Sequence, residues 1–176
     1  MTKRNDIIWL DEVNSTNEYA RMHIDTLDNL SVVAAMSQTE GKGRGEHKWH
    51  SESGKNLLFS IILKSPDIPS RNQAEISMRT VRSLIVLLEN HGVKAWMKPP
   101  NDIWVEDRKI CGILIEHSVR GEKINWSIIG IGLNVNQKEF PSDLPNPTSM
   151  ALEGEETDIK RLLEEFIEIF SREMGL

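Results

Sequence analysis

The chain has 176 residues, is 39% hydrophobic and 27% charged, and carries a formal net charge of −6. It is long enough for one globular domain with a substantial core, and its composition excludes a disordered or collagen-like protein. The excess of 27 Asp and Glu over 21 Lys and Arg argues against a free-standing nucleic-acid-binding module, and the single cysteine excludes an internal disulfide.

The N-terminal residues lack the apolar segment of a signal peptide. The longest aliphatic run, residues 84–88, is far shorter than the roughly 20 residues that a membrane-spanning helix needs. We therefore expect a cytoplasmic protein that binds neither membrane nor nucleic acid.

Strand-like and helix-like apolar patterns alternate in the first half of the chain. A glycine-rich polar stretch, residues 38–54, predicts a long loop in the middle of this half. The predicted regular elements are a strand at 7–10, a helix at 15–29, strands at 31–37 and 56–64, and a helix at 70–91 with Gly92 as its C-terminal cap.

The second half of the chain predicts several strands joined by tight turns, with Asp107-Arg108 as a hairpin turn. The predicted elements are strands at 93–98, 103–106, 109–118 and 124–134, a proline-containing loop at 137–146, and an amphipathic helix at 158–174. Consecutive strands with helices on either side indicate an α+β fold with a mixed, largely antiparallel sheet and flanking helices. Without a repeat or linker to divide the chain, we expect one domain over residues 1–176.

The glycine-rich segment 38–49 is the first candidate for chemistry. Alternating glycines permit positive φ angles and let backbone N–H groups approach an anion. Lys42 and Arg44 add positive charge suited to a phosphate or carboxylate. The alternative is a solvated basic loop without a ligand, and no Walker motif closes the segment.

Two further segments carry candidate polar groups. In segment 98–103, Asn101 is suited to bonding a base or ribose, and Asp102 to approaching Mg²⁺ or a cation, although the same residues also form ordinary turns. Lys109 begins an apolar strand and could hold a phosphate, with Gly112 allowing close approach of a ligand; a surface lysine is the alternative.

Gly130 and Gly132 share one face of a predicted strand and would leave a flat groove for a planar ring, or else mark a bend. The five histidines lack metal-ligand spacing. Cys111, next to a glycine in an apolar strand, is typical of a small core residue and not of a nucleophile.

Taken in order, these segments resemble the biotin protein ligase family. The residues that carry the resemblance extend over roughly residues 7–170. They are Ser15-Thr16-Asn17, residues 38–49, residues 98–102, Lys109-x-x-Gly112-Ile113-Leu114-x-Glu116, Gly130-Ile131-Gly132-x-Asn134-Val135-Asn136, and Thr148-Ser149-Met150.

The resemblance implies a catalytic fold like that of class II aminoacyl-tRNA synthetases. It implies an enzyme that joins biotin to ATP with Mg²⁺, gives biotinyl-5′-AMP and pyrophosphate, and passes biotin to a lysine of a biotin carboxyl carrier domain. A homodimer is one option for its assembly. Two alternatives remain: a lipoate or octanoate ligase or transferase, and a non-catalytic sensor of biotin or its adenylate.

The resemblance also implies roles for individual residues. Lys109 and Arg44 would be catalytic, and Asp102 would be the candidate metal ligand. Biotin would be bound by Ser15, Thr16, Asn17, Gln38, Lys42, Gly43, Arg44, Trp49, Lys109 and Gly112. ATP would be bound by Arg44, Asn101, Asp102, Lys109 and Asn134.

The chain departs from the family pattern in the loop and in the proline segment. Lys42, Gly45, Glu46 and His47 stand where the family usually has arginine or glycine, and Pro99 replaces an aromatic residue. Because lysine does not reproduce the bidentate contacts of arginine, substrate affinity is expected to differ. We expect the catalytic domain alone, with neither an N-terminal winged-helix domain nor a C-terminal SH3-like domain.

Overall fold

The computed structural model describes residues 6–176, which form seven strands and four α-helices. The strands are β1 (Ile7–Val13), β2 (Val32–Gln38), β3 (Leu57–Lys64), β4 (Trp96–Lys98), β5 (Asp102–Val105), β6 (Arg108–Arg120) and β7 (Lys123–Leu133). The helices are α1 (Thr16–Met22), α2 (Ala74–Asn90), α3 (Met150–Glu153) and α4 (Ile159–Met174), with a 3₁₀ turn at Ser70–Asn72 before α2.

The strands form one sheet in the order β1-β2-β3-β7-β6-β5-β4. Only β1 and β2 pair in parallel among the described strands, so the predicted mixed, largely antiparallel sheet is confirmed. Its central pair, β6 and β7, is in register with Gly112 opposite Gly132 and Leu114 opposite Gly130. This register gathers three glycines into one area of the sheet.

The two faces of the sheet are covered unequally. Alternate residues of β3 and β7 pack with α2 and α4 in the main core, whereas Ile62 and Ile128 pack with Val33 and Ala20 in a smaller cluster beside α1. Because side chains of a strand point to opposite faces in turn, Ser60 and Gly130 share the α1 side with Ile62 and Ile128. This side is only partly covered and leaves room for a cavity.

Helix α4 follows its apolar pattern closely. Asp158 caps its first turn by accepting a 3.0 Å hydrogen bond from the Arg161 N–H, and Gly175 ends it with a φ of 75°. Phe166 is fully buried against Phe59, with the ring centroids 5.3 Å apart. The prediction of a core-facing helix here is confirmed.

The predicted helix at 15–29 is too long, because α1 ends at Met22 and residues 23–29 form turns. The segment after Met22 is rich in Asp, Thr and Asn, which bond the local backbone in preference to extending a helix. Thr26 Oγ1 donates to the His23 carbonyl, and Asn29 Oδ1 accepts the Lys64 N–H of β3.

Three smaller differences concern turns and short elements. The β5–β6 hairpin turns at Glu106–Asp107 and not at Asp107-Arg108, with Glu106 at a φ of 53°. Strand β4 begins at Trp96 and not at 93, because Val93 is buried and its N–H closes the end of α2 on the Leu88 carbonyl. The one-turn helix α3 has no counterpart in the prediction.

No helix within residues 6–176 has the length and apolar character required to cross a bilayer.

Replacement of the central aromatic ring of α4 tests this core. Phe166→Ala removes a fully buried ring and is expected to lower the free energy of unfolding by about 3–5 kcal/mol. Met78→Ala in α2 is the control, since that side chain is 68% exposed and the change is expected to stay within about 0.5 kcal/mol. Urea titration followed by circular dichroism measures the free energy of unfolding of both variants. Equal free energies for the two variants would contradict the burial of Phe166 in the core.

Candidate active site

Gly130 and Gly132 leave the α1 side of β7 free of side chains, and other residues fill that space. A Cβ atom at Gly132 would lie 2.5 Å from Cε2 of Trp49, and one at Gly130 would overlap the side-chain amide of Asn17. A Cβ atom at Gly112 on β6 would lie 2.9 Å from Cζ3 of the Trp49 ring. The three glycines therefore form a floor: the Trp49 indole rests on the strand backbone at Gly112 and Gly132, and the Asn17 amide rests on it at Gly130.

Above this floor lies a cavity of about 240 Å³, the main cavity. Every predicted site residue except Asn134 lines it. These are Ser15, Thr16, Asn17, Gln38, Lys42, Gly43, Arg44, Trp49, Asn101, Asp102, Lys109 and Gly112. The structure adds residues that were not assigned to the site, namely His47, Lys48, Pro100, Ile113, Leu114, Gly130, Ile131 and Gly132.

One end of the main cavity is a buried network of neutral polar groups at the start of α1. The Thr16 N–H donates to Gln38 Oε1 at 2.8 Å, and Asn17 Nδ2 donates to the Leu114 carbonyl at 3.2 Å. Ser60 Oγ lies 2.6 Å from Asn17 Oδ1 and 2.7 Å from Thr16 Oγ1. This end presents fixed amide and hydroxyl groups and suits a neutral ligand with both donors and acceptors.

The opposite end is charged. Lys109 Nζ lies 2.9 Å from Asp102 Oδ1, and the two side chains are each about one-third exposed at 32% and 29%. The same ammonium lies 5.6 Å from the Trp49 ring centroid. Asn101 was expected to bond a base or ribose, but it bonds β6 instead. Its side-chain Nδ2 donates to the Ile113 carbonyl, and its backbone carbonyl accepts the Ile113 N–H at 3.1 Å.

The glycine-rich loop is a small hairpin that covers the main cavity. The Gly43 N–H donates to the His47 carbonyl at 2.7 Å, and the Trp49 N–H donates to the Gly41 carbonyl at 2.9 Å. Gly45 turns the tip with a φ of 64°, a conformation that favours glycine. The predicted loop is confirmed as irregular apart from this pairing, and its tip, with Arg44, is exposed.

A second pocket of about 190 Å³, the proline pocket, adjoins the main cavity. Trp49 and Lys109 line both of them. Asn134, which lies outside the main cavity, is found here. The remaining lining residues are His47, Lys48, His50, Phe140, Leu144, Pro145 and Pro147.

Two buried polar atoms beside the site have no partner among the described residues. Asn134 is only 4% exposed and donates its Nδ2 to the Thr148 carbonyl at 2.9 Å, but its Oδ1 accepts nothing. Trp49 Nε1, which lies against Gly132 in the glycine floor, is likewise buried without an acceptor. Since an unmade buried hydrogen bond costs about 1–3 kcal/mol, Asn134 Oδ1 suits a ligand that carries a hydrogen-bond donor.

Among residues 6–176, no group of three or more His, Cys, Asp and Glu side chains is placed to hold a metal ion. Asp102 therefore offers a single carboxylate. One carboxylate is compatible with Mg²⁺, which keeps several waters and takes substrate phosphate oxygens as its other ligands. Burial raises the pKa of the Cys111 thiol, so it stays protonated within the core, consistent with the role predicted for it.

The model of the biotin/lipoate A/B protein ligase family matches residues 9–134 of this chain. The chain therefore belongs to this family.

Curated relatives are similar in sequence along most of the chain. BirA of Bacillus spizizenii, a bifunctional ligase/repressor, is 31% identical over 172 residues, which cover 94% of this chain and 53% of BirA. Escherichia coli BirA is 30% identical over 137 residues, covering 76% of this chain and 42% of that protein. The chain thus spans about half the length of the curated relatives that it matches.

The fold is that of the biotin protein ligases. The Aquifex aeolicus biotin protein ligase, solved in complex with biotin and ATP, superposes with a TM-score of 0.82 at 27% identity. The match covers 98% of this chain and 71% of that one. The expected class II synthetase-like architecture is therefore confirmed.

Ser60 is the residue of the polar network that sequence reasoning missed. It is fully buried in the middle of β3, where every neighbour is apolar. A lone hydroxyl in a buried apolar strand implies a buried hydrogen-bond partner, because an unpaired one is costly. The pattern is present in the sequence, but the partners, Thr16 and Asn17, belong to α1, which lies beside β3 only in the folded chain.

The glycine floor predicts separate effects for two matched substitutions. Gly132→Ala must displace Trp49, whereas Gly130→Ala must displace Asn17. We expect the Trp49 indole N–H resonance, assigned among the five tryptophans with Trp49→Phe, to shift strongly in Gly132→Ala and little in Gly130→Ala. Nitrogen-edited NMR spectra measure this. An unmoved Trp49 resonance in Gly132→Ala would contradict the contact.

Proposed function

We propose that this chain joins biotin to ATP, forming biotinyl-5′-AMP and pyrophosphate, and transfers the biotinyl group to a lysine of a biotin carboxyl carrier domain. One observation supports this most directly: Lys109 lines both the main cavity and the proline pocket. A carboxylate held in one and a phosphate entering from the other would meet at a single ammonium. That is the geometry an acyl-adenylate-forming reaction needs.

The main cavity matches the shape and polarity of biotin. Biotin has a largely apolar fused ring system with one urea group, which needs an apolar slot ending in a few donors and acceptors. We assign the urea to the polar network of Ser15, Thr16, Asn17 and Gln38. Trp49 and the backbone at Gly112 would contact the rings, and the carboxylate would extend toward Lys109.

The proline pocket matches an adenine ring. Adenine is planar, carries an amino donor and has ring-nitrogen acceptors. Its amino group would satisfy the Oδ1 of Asn134, which is buried without a partner. The apolar walls from Phe140, Leu144 and Pro147 suit the ring faces.

In the first step a biotin carboxylate oxygen attacks the α-phosphorus of ATP, and pyrophosphate leaves. Both reactants are anionic, so Lys109 and Arg44 would offset their repulsion and the charge that develops on phosphorus. Mg²⁺, when bound through the phosphates and Asp102, would neutralise further negative charge. Because Asp102 is already paired with Lys109, that carboxylate also holds the ammonium in place.

In the second step the neutral amine of an acceptor lysine attacks the biotinyl carbonyl carbon. An amide bond forms, AMP leaves with the bonding electrons, and the amine loses a proton. No covalent enzyme intermediate is needed. The hairpin of Lys42, Gly43 and Arg44 would cover the mixed anhydride and exclude water.

Several expectations stay predictions. They are the single catalytic domain, the cytoplasmic location, a homodimer, and the ligand contacts assigned to individual residues. Lys42 stands where the family usually has arginine, and it is paired with Glu18 of α1 at 3.3 Å. Exposed pairs of this kind contribute little stability, so this ion pair leaves the hairpin free to open.

Adenylate formation tests the proposal. The protein is incubated with biotin, Mg²⁺ and α-³²P-labelled ATP, and biotinyl-AMP is separated from AMP. Lys109→Ala is expected to slow adenylation by about 100-fold or more, because it removes the cation at the meeting point of the two anions. Lys94→Ala is the control, since Lys94 is exposed and lies outside both pockets. Absence of both biotin binding and adenylate in the wild-type protein would refute the proposal.

A competition experiment separates the related activities within this family. Biotin is expected to raise the melting temperature of the protein, with lipoate and octanoate giving no shift at equal concentration. A shift with lipoate alone would instead indicate a lipoate ligase. Biotin binding and adenylate formation without transfer to any carrier domain would indicate a sensor.

A further inference from the structure

The segment after the proline pocket is clamped to the backbone of Lys109. The Lys109 N–H donates to the Asn146 carbonyl at 2.8 Å, and the Thr148 N–H donates to the Lys109 carbonyl at 2.9 Å. These two bonds form an isolated parallel bridge between Lys109 and Pro147. The segment therefore adds one isolated bridge to the sheet at Lys109, the second residue of β6.

The same segment holds Asn134. The Thr148 carbonyl accepts the 2.9 Å hydrogen bond from Asn134 Nδ2, and the Met150 N–H donates to the Asn134 carbonyl at 3.1 Å. Thr148 is fully buried. Its N–H thus contacts Lys109 while its carbonyl orients the Asn134 amide, so one residue connects the two groups assigned to the carboxylate and to adenine.

The Thr148 side chain is fixed in turn by a largely buried carboxylate. Thr148 Oγ1 donates to Glu153 Oε1, and the Glu153 carboxylate lies 3.2 Å from Nη2 of Arg108. The Glu153 side chain is only 12% exposed. Helix α3 aims it back at Thr148, with Ser149 capping the first turn by accepting the Leu152 N–H.

These contacts form a closed ring, the Thr148 ring: Arg108, Lys109, Thr148 and Glu153. Arg108 immediately precedes Lys109 in β6, and Glu153 joins it to Thr148. We propose that Thr148 and Glu153 are positioning residues that hold Lys109 and Asn134 in the relative placement required for ATP. This inference rests on the proposed function.

The ring lies on the nucleotide side of the site. It contacts the Asn146–Thr148 segment, whose Pro147 forms a wall of the proline pocket. The polar network at Thr16 and Asn17 shares no hydrogen bond with it. A change in the ring acts on biotin through Lys109 alone but on ATP through both Lys109 and Asn134, so it should impair the use of ATP more than the binding of biotin, whereas general loss of structure would weaken both equally.

Thr148→Val is the decisive variant, with Thr148→Ser as its matched control. Valine keeps the shape but removes the hydroxyl donor, which leaves the Glu153 carboxylate short of one partner. Misplacement of a reacting group by about 1 Å costs roughly 100-fold in rate, so we expect kcat/KM for ATP in adenylate formation to fall by about 10- to 100-fold. Serine retains the donor and is expected to restore most of the wild-type value.

Biotin affinity, measured by isothermal titration without ATP, is expected to fall by a smaller factor than kcat/KM for ATP in Thr148→Val and to stay near the wild-type value in Thr148→Ser. Glu153→Gln keeps an acceptor for Thr148 but loses the ion pair with Arg108. We expect it to give a smaller fall in kcat/KM for ATP than Thr148→Val. It provides a second test if the valine variant does not fold.

Three outcomes would overturn the inference: an unchanged kcat/KM for ATP in Thr148→Val and Glu153→Gln, an equal loss of biotin and ATP binding, or a serine variant as impaired as valine. Each leaves the proposed function standing, because the wild-type protein still makes the adenylate. A wild-type protein that makes no adenylate removes the proposed function and this inference together.

Discussion

The site depends on the absence of side chains at Gly130 and Gly132. Because nothing projects from β7 there, the Trp49 indole and the Asn17 amide lie directly against the strand backbone. Trp49 consequently becomes a wall shared by the main cavity and the proline pocket, and Asn17 joins the buried network of α1 and β3. A single methyl group at either position would displace one of these residues.

Positive charge is concentrated at the site. The chain carries a net charge of −6, yet the cavity is lined by Lys42, Arg44, Lys48 and Lys109. An acidic surface disfavours nonspecific binding of nucleic acid, whereas local cations attract small anions to one place. The Lys109–Asp102 pair keeps one of these cations oriented between the two pockets. This arrangement fits an enzyme that brings two anionic substrates together.

Much of this architecture was predictable from local pattern, and the exceptions have physical reasons. The apolar spacing of α4 and the alternation of β3 and β7 determine which faces are buried, and nearly all of the predicted site residues line one cavity. The end of α1 was not predictable from periodicity, because the chain beyond Met22 turns to bond β3. The unpaired Oδ1 of Asn134 and the Thr148 ring arise from contacts between distant segments, which no local pattern encodes.

If the two substrates meet at Lys109 from two adjoining pockets, a crystal structure of the protein with biotin and a non-hydrolysable ATP analogue will show both at one ammonium. We expect the biotin urea at the Thr16–Asn17 network, the biotin carboxylate and the α-phosphate both within hydrogen-bond distance of Lys109 Nζ, and the adenine amino group on Asn134 Oδ1. Adenine bound outside the proline pocket, or Lys109 contacting neither anion, would show that the substrates do not meet there.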